Sequence, residues 1–160
     1  MSDEIIATLE PTIARRGFAV GVIAALGALL LYLAVTNPPQ SPVWLVFLIG
    51  LGVVALWGAE RLFRATDKRL ELTRTELREA GGRVLARIDE IQGVDRGAFA
   101  FKPSNGFLLK LRQPAERVWA PGLWWRFGRR VGVGGVTPGS AAKNMAEALA
   151  IMIAERDGQG

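Results

Sequence analysis

Hydrophobic positions along this chain follow three different rules. From Gly17 to Ala59 there is no charged residue, and two apolar runs, GFAVGVIAALGALLLYLAVT (17–36) and VWLVFLIGLGVVALWGA (43–59), flank the proline-rich NPPQSP. About twenty apolar residues make a helix long enough for the hydrocarbon core of a bilayer. A helix apolar on every side leaves no face for water. The pattern therefore predicts a transmembrane hairpin: helix one over 17–36, a short extracytoplasmic turn over 37–42, helix two over 43–60 and a linker helix over 61–69. A cleaved signal peptide does not fit, because Asp3 and Glu4 open the leader, the first run is too long and a second follows at once.

Ahead of the runs, MSDEIIATLEPTIARR (1–16) reads as a short interfacial segment. Ser2 would cap a helix, Asp3 and Glu4 suit its first turn, and Ile5, Ile6 and Leu9 form a stripe that Pro11 ends. A disordered leader is the alternative.

Beyond residue 69 the apolar spacing shortens and turn residues punctuate it. RLELTRTELRE predicts two short strands around Thr73-Arg74-Thr75, and Gly81-Gly82 a tight turn into RVLARIDEI. GAFAFK and GFLLKLR flank Pro103-Ser104-Asn105-Gly106, a second hairpin signal, with Phe107, Leu109 and Leu111 on one face and Leu108, Lys110 and Arg112 on the other. RVWA and LWWRFGRRVGV add one or two strands. In the latter, alternation puts Leu123, Trp125, Phe127, Val131 and Val133 inward, and Trp124, Arg126, Gly128, Arg130 and Gly132 outward, with Arg129 breaking the pattern. A helix closes the chain. Thr137 is its expected N-cap, Pro138 its first residue, and Ala141, Met145, Ala148, Leu149, Met152 and Ile153 its apolar stripe. The expected fold is thus a membrane hairpin plus a mainly-β, α+β cytoplasmic domain over 70–156, six or seven antiparallel strands capped by one helix.

Charge gives this picture an orientation. Arg15 and Arg16 precede helix one, Arg61, Arg64, Lys68 and Arg69 follow helix two, and the turn between has no cation, so both termini are expected in the cytoplasm. Trp44 and Trp57 stand near opposite ends of helix two, where amphipathic rings prefer the interface. Gly17, Gly21, Ala24, Ala25 and Ala28, with Gly50 and Gly52 opposite, would allow close helix packing, within the hairpin or onto a partner's helix. No Asp, Glu, Lys, Arg or His lies in either span, which disfavours a proton relay or ion pathway there.

Composition narrows the chemistry. Cysteine and histidine are both absent, so disulfides, thiolate nucleophiles, imidazole bases and Cys/His metal sites are excluded. The glycine-rich GVGGVTPGS (132–140) has neither the dinucleotide nor the Walker spacing, because position 137 is threonine and Gly139 precedes Ser140. Asp89, Glu90 and Asp95 lie between Arg87 and Arg96 without further ligands. No catalytic residue, metal or cofactor is therefore expected, and the chain reads as a non-enzyme.

LELTRTELRE-GGRVLARIDEIQGV, together with strands followed by a helix, resembles the bacterial pleckstrin-homology-like domains over about residues 66–156. The resemblance implies a bent antiparallel sheet capped by a helix and a setting behind a two-helix membrane hairpin; it implies no catalytic residue.

The net charge of +5 is concentrated: residues 96–130 hold eight basic side chains and one acid, Glu116, whereas 67–95 and 131–160 are each one unit negative. Each Lys or Arg near an anionic leaflet contributes about 1 kcal/mol. The expected docking face is Trp119, Trp124, Arg126, Arg129 and Arg130, with Lys110 and Arg112 as neighbours, turned toward anionic phospholipid headgroups or another membrane protein. The implied role is an adaptor or accessory subunit of a membrane complex. The excess of arginine over lysine points to a GC-rich bacterium, and the expected location is the bacterial inner membrane. Nucleic-acid binding by the Trp/Arg segment is the alternative, which the inward alternation of its aromatics disfavours.

Overall fold

The computed structural model describes residues 4–95 and 105–159. The strand expected over GAFAFK lies outside the described residues, as do Pro103 and Ser104 of the turn after it.

Two helices carry the apolar runs: α1, Ile13–Thr36, and α2, Pro42–Ala65. Each has 24 residues, so each is about 36 Å long. α1 starts earlier than the hydropathy suggests, taking in Arg15 and Arg16, and Pro42 occupies the first turn of α2, where its missing N–H costs nothing. The linker helix expected to reach residue 69 stops at Ala65. There the Thr66 hydroxyl donates back to the Leu62 carbonyl at 2.6 Å and the chain turns toward a strand. Both helices are long and apolar enough to cross a membrane, and only 11% of each span is buried. A core helix in water would have its apolar surface covered. Here Phe18, Val22, Leu29, Phe47, Val54 and Trp57 stay exposed, as suits a two-pass membrane protein.

The hairpin closes through glycine: through Gly52, as expected, and through Gly27, which the sequence reading did not name. A Cβ added to Gly27 would lie 3.0 Å from the Gly52 carbonyl oxygen and 2.9 Å from Leu56; one on Gly52 would lie 2.9 Å from Leu31. These two residues set the distance of closest approach, whereas Gly17, Gly21 and Gly50 face open space.

Among the described residues, seven strands form two antiparallel sheets. β1 (Ile5–Leu9), β2 (Leu70–Thr73), β3 (Glu76–Glu79) and β4 (Val84–Arg87) follow one another across the first; β5 (Ile91–Asp95), β6 (Phe107–Ala120) and β7 (Trp124–Val133) make the second. A short 3₁₀ turn, Ile88–Glu90, links β4 to β5. The strands around Thr73-Arg74-Thr75 and the Gly81-Gly82 turn match the sequence reading, and both glycines have positive φ, 100° and 137°.

The N-terminal segment departs from expectation. It is neither an interfacial helix nor a free leader: β1 pairs with β2 in the register Ala7↔Leu72, Thr8↔Glu71, Leu9↔Leu70. The stripe Ile5, Ile6, Leu9 fits a helical period, yet a five-residue segment is too short to fix a period, and pairing satisfies its backbone. The membrane hairpin is therefore an insertion between the first two strands of the sheet, not an N-terminal appendage to a separate domain.

One core joins the sheets. Leu9, Leu70, Leu72, Leu77 and Leu85 from the first meet Ile91, Phe107, Leu109, Val131 and Val133 from the second. α3 (Gly139–Gly158) closes it with Ala142, Met145, Leu149 and Ile153, while Lys143, Asn144, Glu147 and Glu155 are exposed, as the stripe predicts. Its cap differs. The N-cap is Pro138, and the fully buried Thr137 hydroxyl makes no hydrogen bond among the described residues; the Thr137 carbonyl instead accepts from Arg15 at 3.0 Å. At its other end Arg156 donates to the Ile88 and Ile91 carbonyls, the latter at 2.7 Å, pinning α3 across the link between the sheets.

Candidate functional site

β6 and β7 form a long hairpin whose turn reaches the C-terminal end of α2. Gly122, at φ 82°, sits so close that an added Cβ would lie 2.3 Å from Leu62 and 2.9 Å from Thr66. Gly135 crosses over the same turn, where an added Cβ would lie 2.6 Å from the Gly122 carbonyl oxygen, and Val136 donates its N–H to that oxygen at 3.0 Å. This contact accounts for the glycine-rich run before α3. Beside it the Trp119 ring packs 6.0 Å from Trp57, and the Arg61 guanidinium lies 5.6 Å from the Trp57 ring and 5.7 Å from that of Trp119. Arg61 also donates to the Trp119 carbonyl at 3.4 Å. From α1, Arg16 donates to the Phe63 carbonyl at 2.9 Å and to the Thr66 hydroxyl at 3.1 Å, and Thr12 N–H bonds the Val136 carbonyl at 3.1 Å. The sheets are thus fastened to both helices at the ends of their apolar spans.

The hairpin's faces differ from the simple alternation. Opposed residues share a side, and the register runs Ala120↔Trp124, Trp119↔Trp125, Val118↔Arg126, Ala115↔Gly128, Lys110↔Arg130. Between Lys110 and Ala115 β6 advances five residues while β7, from Gly128 to Arg130, advances two. Gly128, at φ 59°, makes the break. Val131 and Val133 face the core as expected, but before the bulge the parity is reversed: Trp124 is inward and Trp125 and Phe127 are outward.

Trp124 is consequently 1% exposed, and its indole N–H donates to Glu79 Oε1 at 2.6 Å. Glu79, itself 4% exposed, pairs through Oε2 with Lys68 at 3.2 Å. Arg126, also expected outside, turns its guanidinium along the sheet junction and donates to the carbonyls of Glu116 at 2.7 Å, Leu85 at 2.9 Å and Val84 at 3.2 Å. Both residues hold the fold together, Trp124 buried and Arg126 half-buried, and both still line the groove on this hairpin. Arg112 lies away from it, 3.7 Å from Asp157 of α3. Arg129 is exposed at the bulge.

What remains outside is a different set. Trp119 and Phe127 are 49% and 58% exposed, Arg117 stacks 4.3 Å above the Phe127 ring, and Trp125 lies across Gly132, where a Cβ would fall 2.3 Å from its indole. With Arg130 these residues line a groove of about 1090 Å³ that begins at the Pro121–Gly122 turn. Lys110 stands opposite Arg130 at its far end. Of the expected face, Trp119, Trp124, Arg126 and Arg130 line this groove and Lys110 pairs across the ladder from Arg130; Arg117, Trp125 and Phe127 join them unpredicted. The signal for this in the sequence is Gly128 followed by two arginines, a break in alternation that a bulge explains.

The chain matches no known family model, no curated protein and no solved structure.

Proposed function

We propose that the chain is a non-enzymatic, two-pass membrane protein of the bacterial inner membrane, both termini cytoplasmic, whose sheet domain is a pleckstrin-homology-like docking module. Its outward Trp/Arg face is directed at the anionic leaflet, and the chain acts as an adaptor or accessory subunit there. Four strands and three strands in sequential order, closed by a C-terminal helix, support the PH-like reading. The pairing of β1 with β2 requires the two ends of the hairpin to lie on one side, and the cations at those ends favour the cytoplasmic one.

The observation that carries the proposal is the Trp57–Arg61–Trp119 cluster, with Gly122 seated on Leu62 and Thr66. Trp57 ends the uncharged span, at the depth where indole rings settle. Trp119 beside it brings the β6–β7 face to headgroup level.

The test uses the full chain, because the sheet needs β1 from ahead of the hairpin. A single Glu116→Cys, labelled with a polarity-sensitive fluorophore, is reconstituted in nanodiscs of phosphatidylcholine with or without phosphatidylglycerol. A blue shift in the anionic discs that high salt reverses is expected; identical spectra in both discs would remove the docked face.

A further inference from the structure

We infer that the groove on the outer face of the β6–β7 hairpin is a binding site for one anionic phospholipid drawn from the adjacent leaflet, an inference that rests on the membrane-docked reading above. Three features fix this occupant. The groove floor is aromatic, Trp119, Trp125 and Phe127, and suits the glycerol backbone and first methylenes of an acyl chain rather than a free soluble anion. Its charged lining is entirely basic, and among the described residues no acid pairs with Arg117 or Arg130. Arginine's planar fork matches phosphate oxygens. Finally, the groove opens beside Trp57 and Arg61, where the apolar span ends, so a lipid reaches it by leaving the leaflet only in part.

The parts have separate roles. Arg130 forms the outer cationic end of the lining, and Lys110 lies across the ladder from it, outside the lining. Arg117, held over Phe127, places its guanidinium where the floor meets the rim. Trp125 is fixed by the glycine under it: Gly132 leaves room for the indole to lie flat along the strand, and any side chain there would lift it into the groove.

Native mass spectrometry of the full-length chain, released from nanodiscs of mixed phosphatidylcholine and phosphatidylglycerol, tests the site. The wild type is expected to retain one phosphatidylglycerol in preference to phosphatidylcholine. Arg117→Gln and Arg130→Gln should each lower that retention about fivefold, the loss of one near-surface cation. Arg117→Lys should keep most of it. Arg129→Gln, a charge-matched change outside the groove lining, should leave it unaltered. Equal loss in Arg129→Gln, no preference for the anionic lipid, or a retained peptide in place of lipid would each overturn the site. These outcomes leave the salt-dependent docking of the fluorophore experiment standing. Conversely, a lipid retained through Arg117 and Arg130 in a chain whose hairpin label ignores anionic discs sinks the docked face and keeps the site.

Discussion

Trp124 shows how far a single side chain's role depends on its partners. Its indole is a large apolar body with one donor, and burial is favourable only where that donor is met. Glu79 meets it, and the exposed Lys68 in turn meets the carboxylate, so both buried polar groups are paired. Removing Glu79 strands the indole N–H. Glu79→Ala is expected to destabilise the domain by about 2–3 kcal/mol, whereas Glu79→Gln, which keeps an acceptor for the indole, should cost about 1 kcal/mol or less. Urea unfolding in detergent, followed by near-ultraviolet circular dichroism of the tryptophans, separates the two. Gly122 is constrained differently. Its left-handed φ of 82° and its distance to Leu62 both exclude a Cβ. Gly122→Ala should lose about 1–2 kcal/mol from backbone strain alone. Hydrogen exchange should accelerate around residues 119–136 while β2–β4 keep their protection; unchanged exchange near Gly122 would mean that the turn is not seated on α2.

At the level of elements, β1 is the piece with the most consequence for its size. Five residues cover the edge of β2 and contribute a fully buried Leu9 to the core, and α3 packs over them. Leu9→Ala should therefore cost about 3 kcal/mol, the usual range for an aliphatic side chain removed from a packed core. Thr8→Ala, on the exposed side of the same strand, should stay within about 0.5 kcal/mol. Thermal melts of the two variants decide whether the segment is part of the sheet or a dispensable leader. The β6–β7 hairpin makes the complementary point. Its bulge separates two stretches of opposite parity, so one strand both fills the core through Val131 and Val133 and presents Trp125 and Phe127 outward.

For the whole molecule, insertion of the membrane hairpin between β1 and β2 ties topology to folding. The sheet is completed only when both ends of the hairpin emerge on the same side. Arg15, Arg16 and Arg61, the cations on which the proposed orientation rests, also bond carbonyls of the domain or of the neighbouring helix, so in that reading one set of residues orients the hairpin and fastens the sheets to it. The chain has no native cysteine, which makes single introduced thiols unambiguous reporters. In intact spheroplasts an impermeant maleimide should label Gln40→Cys, in the connecting turn, and reach Glu155→Cys, on α3, only after permeabilisation. The reverse pattern would invert the orientation and with it the anionic-leaflet assignment.

The sequence alone determined what depends on near neighbours and on counts. Two uncharged runs were long enough to be read as helices, a glycine pair located the turn after β3, and an apolar stripe at helical spacing marked α3, because each signal lies within its own element. The clustering of cations in 96–130 is likewise independent of fold. Tertiary structure decided the rest. Which side of β7 faces the core depends on how many residues β6 inserts opposite Gly128, a number set by pairing across the sheet. Whether IIATL is helix, leader or strand depends on Leu70–Thr73, more than sixty positions away, offering an unfilled edge. Side-chain period is local, but register and partnership are properties of two segments at once, and the exposed aromatic face of this protein is a matter of register.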